Sequence, residues 1–270
     1  MKKVERIGTP LKQWNITINF GIKTGFNEAF IIDENKKNEL IEANPKSAEI
    51  IRPILRGRDI EKYRSKFANR WIIATFPSKK YNIDSYPAVK NHLLSYDIRK
   101  LEQSGNKYFV EGVEIKSRKK TNNKWFETQD SIGYWDDFSR QKIVWKRIGS
   151  ILRFSLDETG CLALDSTCLA TGNNLKYLCS ILNSKMGKFL LRQSPKTGTG
   201  DYIISVQAIE PVCIPVPTEE IEGEIELLFD KMLDQAGNIQ NESQNELDQI
   251  IFKIFQLDDD EIEFISNLPY

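Results

Sequence analysis

Apolar and polar residues alternate along Asn15-Ile16-Thr17-Ile18-Asn19-Phe20, the period of a strand with one buried face. The turn Gly21-Ile22-Lys23-Thr24-Gly25-Phe26-Asn27 follows, and the apolar run 29–32 predicts a second strand. Asp33 is placed to cap a short helix over 35–43, and Asn44-Pro45 restarts another, with Asn as the cap and Pro in the first turn. Residues 70–76, rich in Ile, Trp and Thr, read as a strand. Val89, Leu93, Leu94 and Ile98 recur near one face and predict a helix over 84–103, stopped by Gly105. Between 104 and 123 the pattern breaks and turns basic, which predicts a long loop or hairpin. Strands are expected over 142–148, 151–156 and 161–170, with turns at Gly149-Ser150 and Glu158-Thr159-Gly160. Asn173 or Asn174 caps an expected helix through Leu175, Leu178, Leu182, Met186, Phe189 and Leu190. Residues 194–201 form a Gly/Thr-rich loop, and 202–205 and 211–216 are short extended pieces.

The last fifty residues differ in kind. Ile221, Ile225, Leu228 and Met232 make a helical stripe on an acidic background, and Leu247, Ile250, Ile254 and Phe255 continue it in a second helix. Asp258 with Glu261 forms a capping box for a last short helix. The pattern predicts an α+β fold: a mixed, mostly antiparallel sheet body with packed helices over 1–218, then an acidic helical segment over 219–270.

Charge sharpens that division. The chain balances 38 basic against 38 acidic side chains. Residues 219–270 hold 15 acidic and 2 basic groups, leaving 36 basic and 23 acidic groups in residues 1–218. A body with that excess is a candidate polyanion binder. No stretch approaches the ~20 apolar residues that span a bilayer. The first residues lead into no apolar signal region, so a cytoplasmic protein without a membrane partner is expected. Cys161, Cys168, Cys179 and Cys213 form no CxxC pair and the one histidine, His92, is remote in sequence, so the cysteines read as small buried hydrophobes and no metal is expected.

A search for catalytic residues yields little. There is no Walker loop and no GxGxxG. The amino-methyltransferase signature (N/D)-P-P-(Y/F) is absent, and Asn267-Leu268-Pro269-Tyr270 is only a partial echo. Glu114-Ile115-Lys116 matches half of a metal-dependent nuclease site but lacks the upstream P-D carboxylate. His92 reads as structural. The expectation is no catalytic residue in this chain.

The basic groups cluster beside aromatics instead. Arg52, Arg56, Arg58, Lys62 and Arg64 form one cluster, and Lys116, Arg118, Lys119, Lys120 and Lys124 form the densest run, ending at Trp125-Phe126. Lys142, Lys146, Arg147 and Arg153 surround Trp145, and Arg192 and Lys196 border the Gly/Thr loop. Lys and Arg neutralise phosphates, and Arg also reads guanine edges. A non-catalytic protein- or RNA-binding module, or a magnesium-dependent nuclease using Glu114 and Lys116, are the alternatives the residues leave open.

Several segments are similar to one known family. Gly21-Ile22-Lys23-Thr24-Gly25-Phe26-Asn27-Glu28-Ala29-Phe30-Ile31-Ile32 resembles the opening of the TaqI-like C-terminal specificity domain. Ile51-Arg52-Pro53-Ile54-Leu55-Arg56-Gly57-Arg58-Asp59-Ile60-Glu61-Lys62-Tyr63 is similar to its central stretch. Tyr86-Pro87-Ala88-Val89, Lys142-Ile143-Val144-Trp145, Leu182-Asn183-Ser184-Lys185 and Ile214-Pro215-Val216-Pro217 follow in the family's order.

The resemblance implies a target recognition domain of a type II restriction-modification enzyme or adenine-specific DNA methyltransferase, related to type I specificity subunits. Its partners would be double-stranded DNA and a methyltransferase, with a nuclease in some family members. Methyltransferase motifs are missing, so the chain is expected to be a fragment or separate specificity chain. S-adenosylmethionine is expected in the absent methyltransferase and no cofactor in this chain. The acidic helices are expected to pack on the body or on that methyltransferase. The expected DNA-facing groups are Lys23, Thr24 and Asn27; Arg56 and Arg58; Lys116, Arg118, Lys119, Lys120, Asn122 and Asn123; Lys146 and Arg147; and Lys196 and Thr197. Asp59 is expected to pair with a neighbouring Arg.

Overall fold

The computed structural model describes residues 2–234 and 241–268. Pro269 and Tyr270 of the partial methyltransferase echo lie outside the described residues.

A five-stranded sheet forms the centre, in the order Ile16–Phe20, Thr167–Gly172, Lys142–Lys146, Phe154–Asp157, Tyr63–Arg64. Its pairings are antiparallel except the last, which is parallel. A four-stranded sheet, Leu162–Ala163, Ile51–Leu55, Arg70–Ile73, Ile31–Asp33, stands beside it and is likewise antiparallel apart from one parallel pair. The fold is therefore α+β with a mixed, mostly antiparallel body.

Several expected elements are shorter than the periodicity suggested. The run 161–170 breaks at Leu164-Asp165-Ser166, so Leu162–Ala163 joins one sheet and Thr167–Gly172 the other. The expected helix over 84–103 is two helices, Pro87–Leu94 and Ile98–Leu101, because the Asp97 carboxylate caps a new start by accepting from the Arg99 amide at 2.9 Å. The helix expected through Leu190 also divides, into Leu175–Asn183 and Lys185–Leu191. Ser184 caps the second, accepting from the Gly187 amide at 3.1 Å. A Cβ on Gly187 would lie 2.2 Å from Ile181 O, so the tight junction requires glycine. The start of the expected strand over 29–32 belongs to a helical turn, Asn27–Phe30, and only Ile31–Asp33 is extended. Residues 104–123 contain a β-hairpin of Lys107–Val110 and Val113–Lys116.

The acidic segment forms the helices Glu219–Asp234, Asn241–Ile254 and Asp259–Ser266. They pack on the body. Phe229, Ile251, Phe252 and Phe255 are buried in one apolar cluster with Trp145, Tyr177 and Leu178. Polar contacts fix the seam: Tyr63 Oη donates to Gln244 Oε1 at 2.8 Å, and the Lys185 amide donates to Asp248 Oδ1 at 2.9 Å. Asp258 and Glu261 form the expected capping box. Among the described residues no helix is long and apolar enough to cross a membrane.

Candidate nucleic-acid interface

The turn 21–27 leaves the end of the central strand Ile16–Phe20 by a close backbone crossing. A Cβ on Gly21 would stand 2.0 Å from Leu164 O, so only glycine fits there. Gly25 has φ +79°, the left-handed region, and its face lies against Gln129 and Arg118. Thr24 is buried; its hydroxyl donates to Asn27 Oδ1 at 2.6 Å and accepts from the Phe26 amide at 3.1 Å. Lys23 O accepts from the Gln129 amide at 3.0 Å, which ties the turn to the loop 117–131.

Arg118 locks that loop from inside. It is 4% exposed and gives every guanidinium nitrogen to backbone carbonyls: Nε to Leu101 O at 2.9 Å, Nη1 to Thr24 O at 2.8 Å and Glu127 O at 2.7 Å, and Nη2 to Trp125 O at 2.6 Å. Burial pulls its pKa down to about 10. Asn123 closes the loop by donating to Gln129 O at 2.9 Å.

The third contribution comes from the sheet ends. The Arg147 amide donates to Ser166 O at 2.9 Å and the Asp165 amide to Ile22 O at 2.8 Å. These bonds gather Lys23, Lys119, Arg147, Asp130, Asp165 and Tyr134 around an open concavity of about 710 Å³. Lys23, Lys119 and Asp130 are exposed, whereas Arg147 and Asp165 are half-buried. Burial, and next Tyr134's neighbour Asp130, push the Tyr134 hydroxyl up to about 12. Every lining residue lies between positions 20 and 165, so the acidic C-terminal helices do not line it.

Of the sequence candidates, Lys23, Lys119 and Arg147 meet here. Two are corrected. Arg118 and Thr24 are buried and spend their donors on the protein's own backbone and on Asn27, so they build the surface and are not on it. Arg56 faces Asp59 in a two-pronged pair, Nε to Oδ2 at 2.9 Å and Nη2 to Oδ1 at 2.8 Å, and that hydrogen bonding raises its pKa. Asp59 thus has the structural partner expected of it. Arg58 is exposed on the same turn, and Lys146 is exposed, its stem passing within 2.9 Å of where a Gly57 Cβ would stand. Lys116 pairs with Glu114 at 3.1 Å on the hairpin, whose Phe109 is 75% exposed. Lys120, Asn122 and Asn27 are exposed. Lys196 stacks 4.5 Å over the Tyr202 ring, and Thr197 Oγ1 accepts from the Asp201 amide at 3.1 Å. His92 Nε2 lies 3.0 Å from Ala29 O, and burial lowers its pKa, as suits a structural histidine.

Sequence reasoning missed Asp165, Asp130 and Tyr134. The Asp165-Ser166 pair inside an apolar run was the available signal: two turn-formers where a continuous strand would bury a carboxylate.

Residues 52–215 match the TaqI-like C-terminal specificity domain. The chain belongs to that family. The specificity domain is also 25% identical over 259 residues to the type II methyltransferase M.BstVI of Geobacillus stearothermophilus, covering 93% of this chain and 41% of that protein. The chain therefore spans well under half the length of that relative. Its fold is similar to that of the type IIL restriction-modification enzyme MmeI, solved in complex with DNA, with a TM-score of 0.61 at 12% identity over 97% of this chain and 37% of that one.

Proposed function

We propose that this specificity domain is the sequence-specific duplex-DNA recognition module of a restriction-modification enzyme. In this reading it holds and selects DNA for N6-adenine methylation by a methyltransferase domain outside these residues. That domain would bind S-adenosylmethionine and extrude the target base, which requires the duplex to be held in register. Where the parent enzyme cleaves DNA, the nuclease is likewise elsewhere.

The concavity supports this best. Three segments remote in sequence deliver Lys23, Lys119 and Arg147 to one open surface. Lysines on its rim suit phosphates and an arginine on its floor suits a guanine edge. Phosphate contacts would set register and floor contacts the choice of sequence.

Selection of bound duplexes from a randomised DNA pool at two salt concentrations tests this. The expected result is a motif that persists at the higher salt. Binding that enriches nothing and vanishes with salt would leave only a non-specific polyanion surface.

A further inference from the structure

Two carboxylates in the concavity, Asp130 and Asp165, oppose the charge of their surroundings, and of the two Asp165 is the half-buried one. Lys23, Lys119 and Arg147 attract phosphate, and a fixed negative charge among them weakens that attraction. Asp165 is nonetheless held there by its amide bond to Ile22 O, 2.8 Å long, in the turn that passes the chain from one sheet to the other. It shares the half-buried floor with Arg147, below the exposed lysines. Among the described residues no Lys or Arg nitrogen comes within 4.0 Å of its carboxylate oxygens. Burial raises its pKa, against the pull of Arg147 and Lys23 and the hydrogen bond from the Ser166 amide, and with Asp130 adding to the rise.

The Ser166 amide donates to this carboxylate, and a carboxylate accepts about four hydrogen bonds, so Asp165 keeps acceptor capacity for a donor on the ligand. In the major groove the cytosine N4 amino group offers only a donor, whereas adenine pairs its N6 donor with the N7 acceptor and suits an amide better. Guanine offers two acceptors, O6 and N7, which suit a guanidinium.

We propose that Asp165 is a specificity-determining residue that accepts a hydrogen bond from the N4 amino group of a cytosine in the major groove, with Arg147 beside it directed at guanine. This rests on the DNA-recognition reading above and assigns a base to a residue within it.

The test is selection from a randomised duplex pool with the full chain, wild type against Asp165→Asn, followed by titration of the wild-type motif with each base pair exchanged in turn. The expected result is a C·G pair in the wild-type motif whose exchange costs ~10-fold or more in affinity. Asp165→Asn should lose preference at that pair alone and keep the rest of the motif. Asp165→Ser, measured alongside with its melting curve, serves if the amide disturbs the turn. The proposal is overturned if both variants keep every base preference and bind all duplexes more tightly, the behaviour of a merely repulsive charge. It is equally overturned if the position lost is not a C·G pair. A wild type that binds duplex without enriching any motif overturns the recognition reading itself, a result visible without either variant.

Discussion

Arg118 Nη1 lies 2.8 Å from the carbonyl oxygen of Thr24, across 94 residues of sequence. The bond joins the turn carrying Lys23 to the loop carrying Lys119, so the rim of the concavity depends on a cation that is not itself on the surface. Hydrogen bonds from a charged donor contribute ~1.5–3 kcal/mol each, and they are not additive. Arg118→Ala also strands the carbonyls of Thr24, Leu101 and Trp125, while Glu127 O keeps its bond from Gln103 Nε2. The expected loss is on the order of 3 kcal/mol. Arg118→Lys should recover little, because an ammonium cannot reproduce the planar fork. Urea denaturation gives the loss, and hydrogen exchange should rise in residues 21–27 and 101–131. An unchanged midpoint with weakened DNA binding would restore Arg118 to the surface role its sequence suggested.

That residue shows where sequence reasoning stops. The run Lys116–Lys120 is legible as charge, yet nothing in it marks which member turns inward. The choice is made by five hydrogen bonds to four carbonyls between residues 24 and 127, Leu101 O accepting twice, which are contacts and not periodicity. Local chemistry was more readable: the Asp33 cap, the Asp258 capping box and the Arg56–Asp59 pair all follow from spacings of three residues. Breaks at Asp97 and Ser184 escaped because apolar spacing continues through them, while a side-chain cap restarts each helix. The concavity's aspartates escaped for a different reason. A search for cations gives no weight to a carboxylate until the fold sets it beside them.

The rim lysines should act without regard to sequence. Lys23→Ala and Lys119→Ala are each expected to weaken binding alike for matched and mismatched duplexes. Each should also lower the slope of log K against log salt by ~0.9, one phosphate contact. Fluorescence anisotropy across a salt series measures this. A change confined to one base position would move that lysine from the rim to base reading.

Lys142 and Asp157 form an ion pair with both side chains fully buried, Nζ to Oδ2 at 2.5 Å, on neighbouring strands of the central sheet. Lys142 also donates to Phe138 O at 2.8 Å. Removing one partner leaves an uncompensated charge inside the protein, so Asp157→Ala is expected to cost ~3–5 kcal/mol. Thermal denaturation reads it out, and a shift of only a degree or two would mean that water reaches the pair.

The C-terminal helices should not be separable from the body. Phe229, Ile251, Phe252 and Phe255 are each worth ~1.5–3 kcal/mol of burial. Truncation after Thr218 removes them and exposes Tyr63, Tyr177 and Leu178 of the body. The expected product is aggregated or molten, judged by gel filtration and dye binding. A soluble, cooperatively melting fragment would mean the body closes its own core.

Asp248 offers the clearest dependence on pH. Its carboxylate is buried at the seam, with Oδ1 on the Lys185 amide and Oδ2 without a hydrogen-bond partner. Burial raises its pKa, and the Lys185 amide, Lys185, Lys62 and the Gln244 side chain only partly oppose that. A carboxyl with a raised folded-state pKa binds its proton more tightly when folded than when unfolded. Stability contributed by this group is therefore fully present below the ordinary aspartate range. It falls as pH rises from there through the raised folded value, and stays reduced at neutral pH. Asp248→Asn keeps an acceptor for the Lys185 amide and carries no charge. The variant should melt at a higher temperature than wild type at pH 7, with the difference closing as pH drops below ~4, where the wild-type group is protonated in both states. Melting curves from pH 3 to 8 would show it. A variant that is less stable at pH 7 and equal at low pH would reverse the sign. It would mean that Lys62 and Lys185 hold the ionised carboxylate more strongly than burial opposes it.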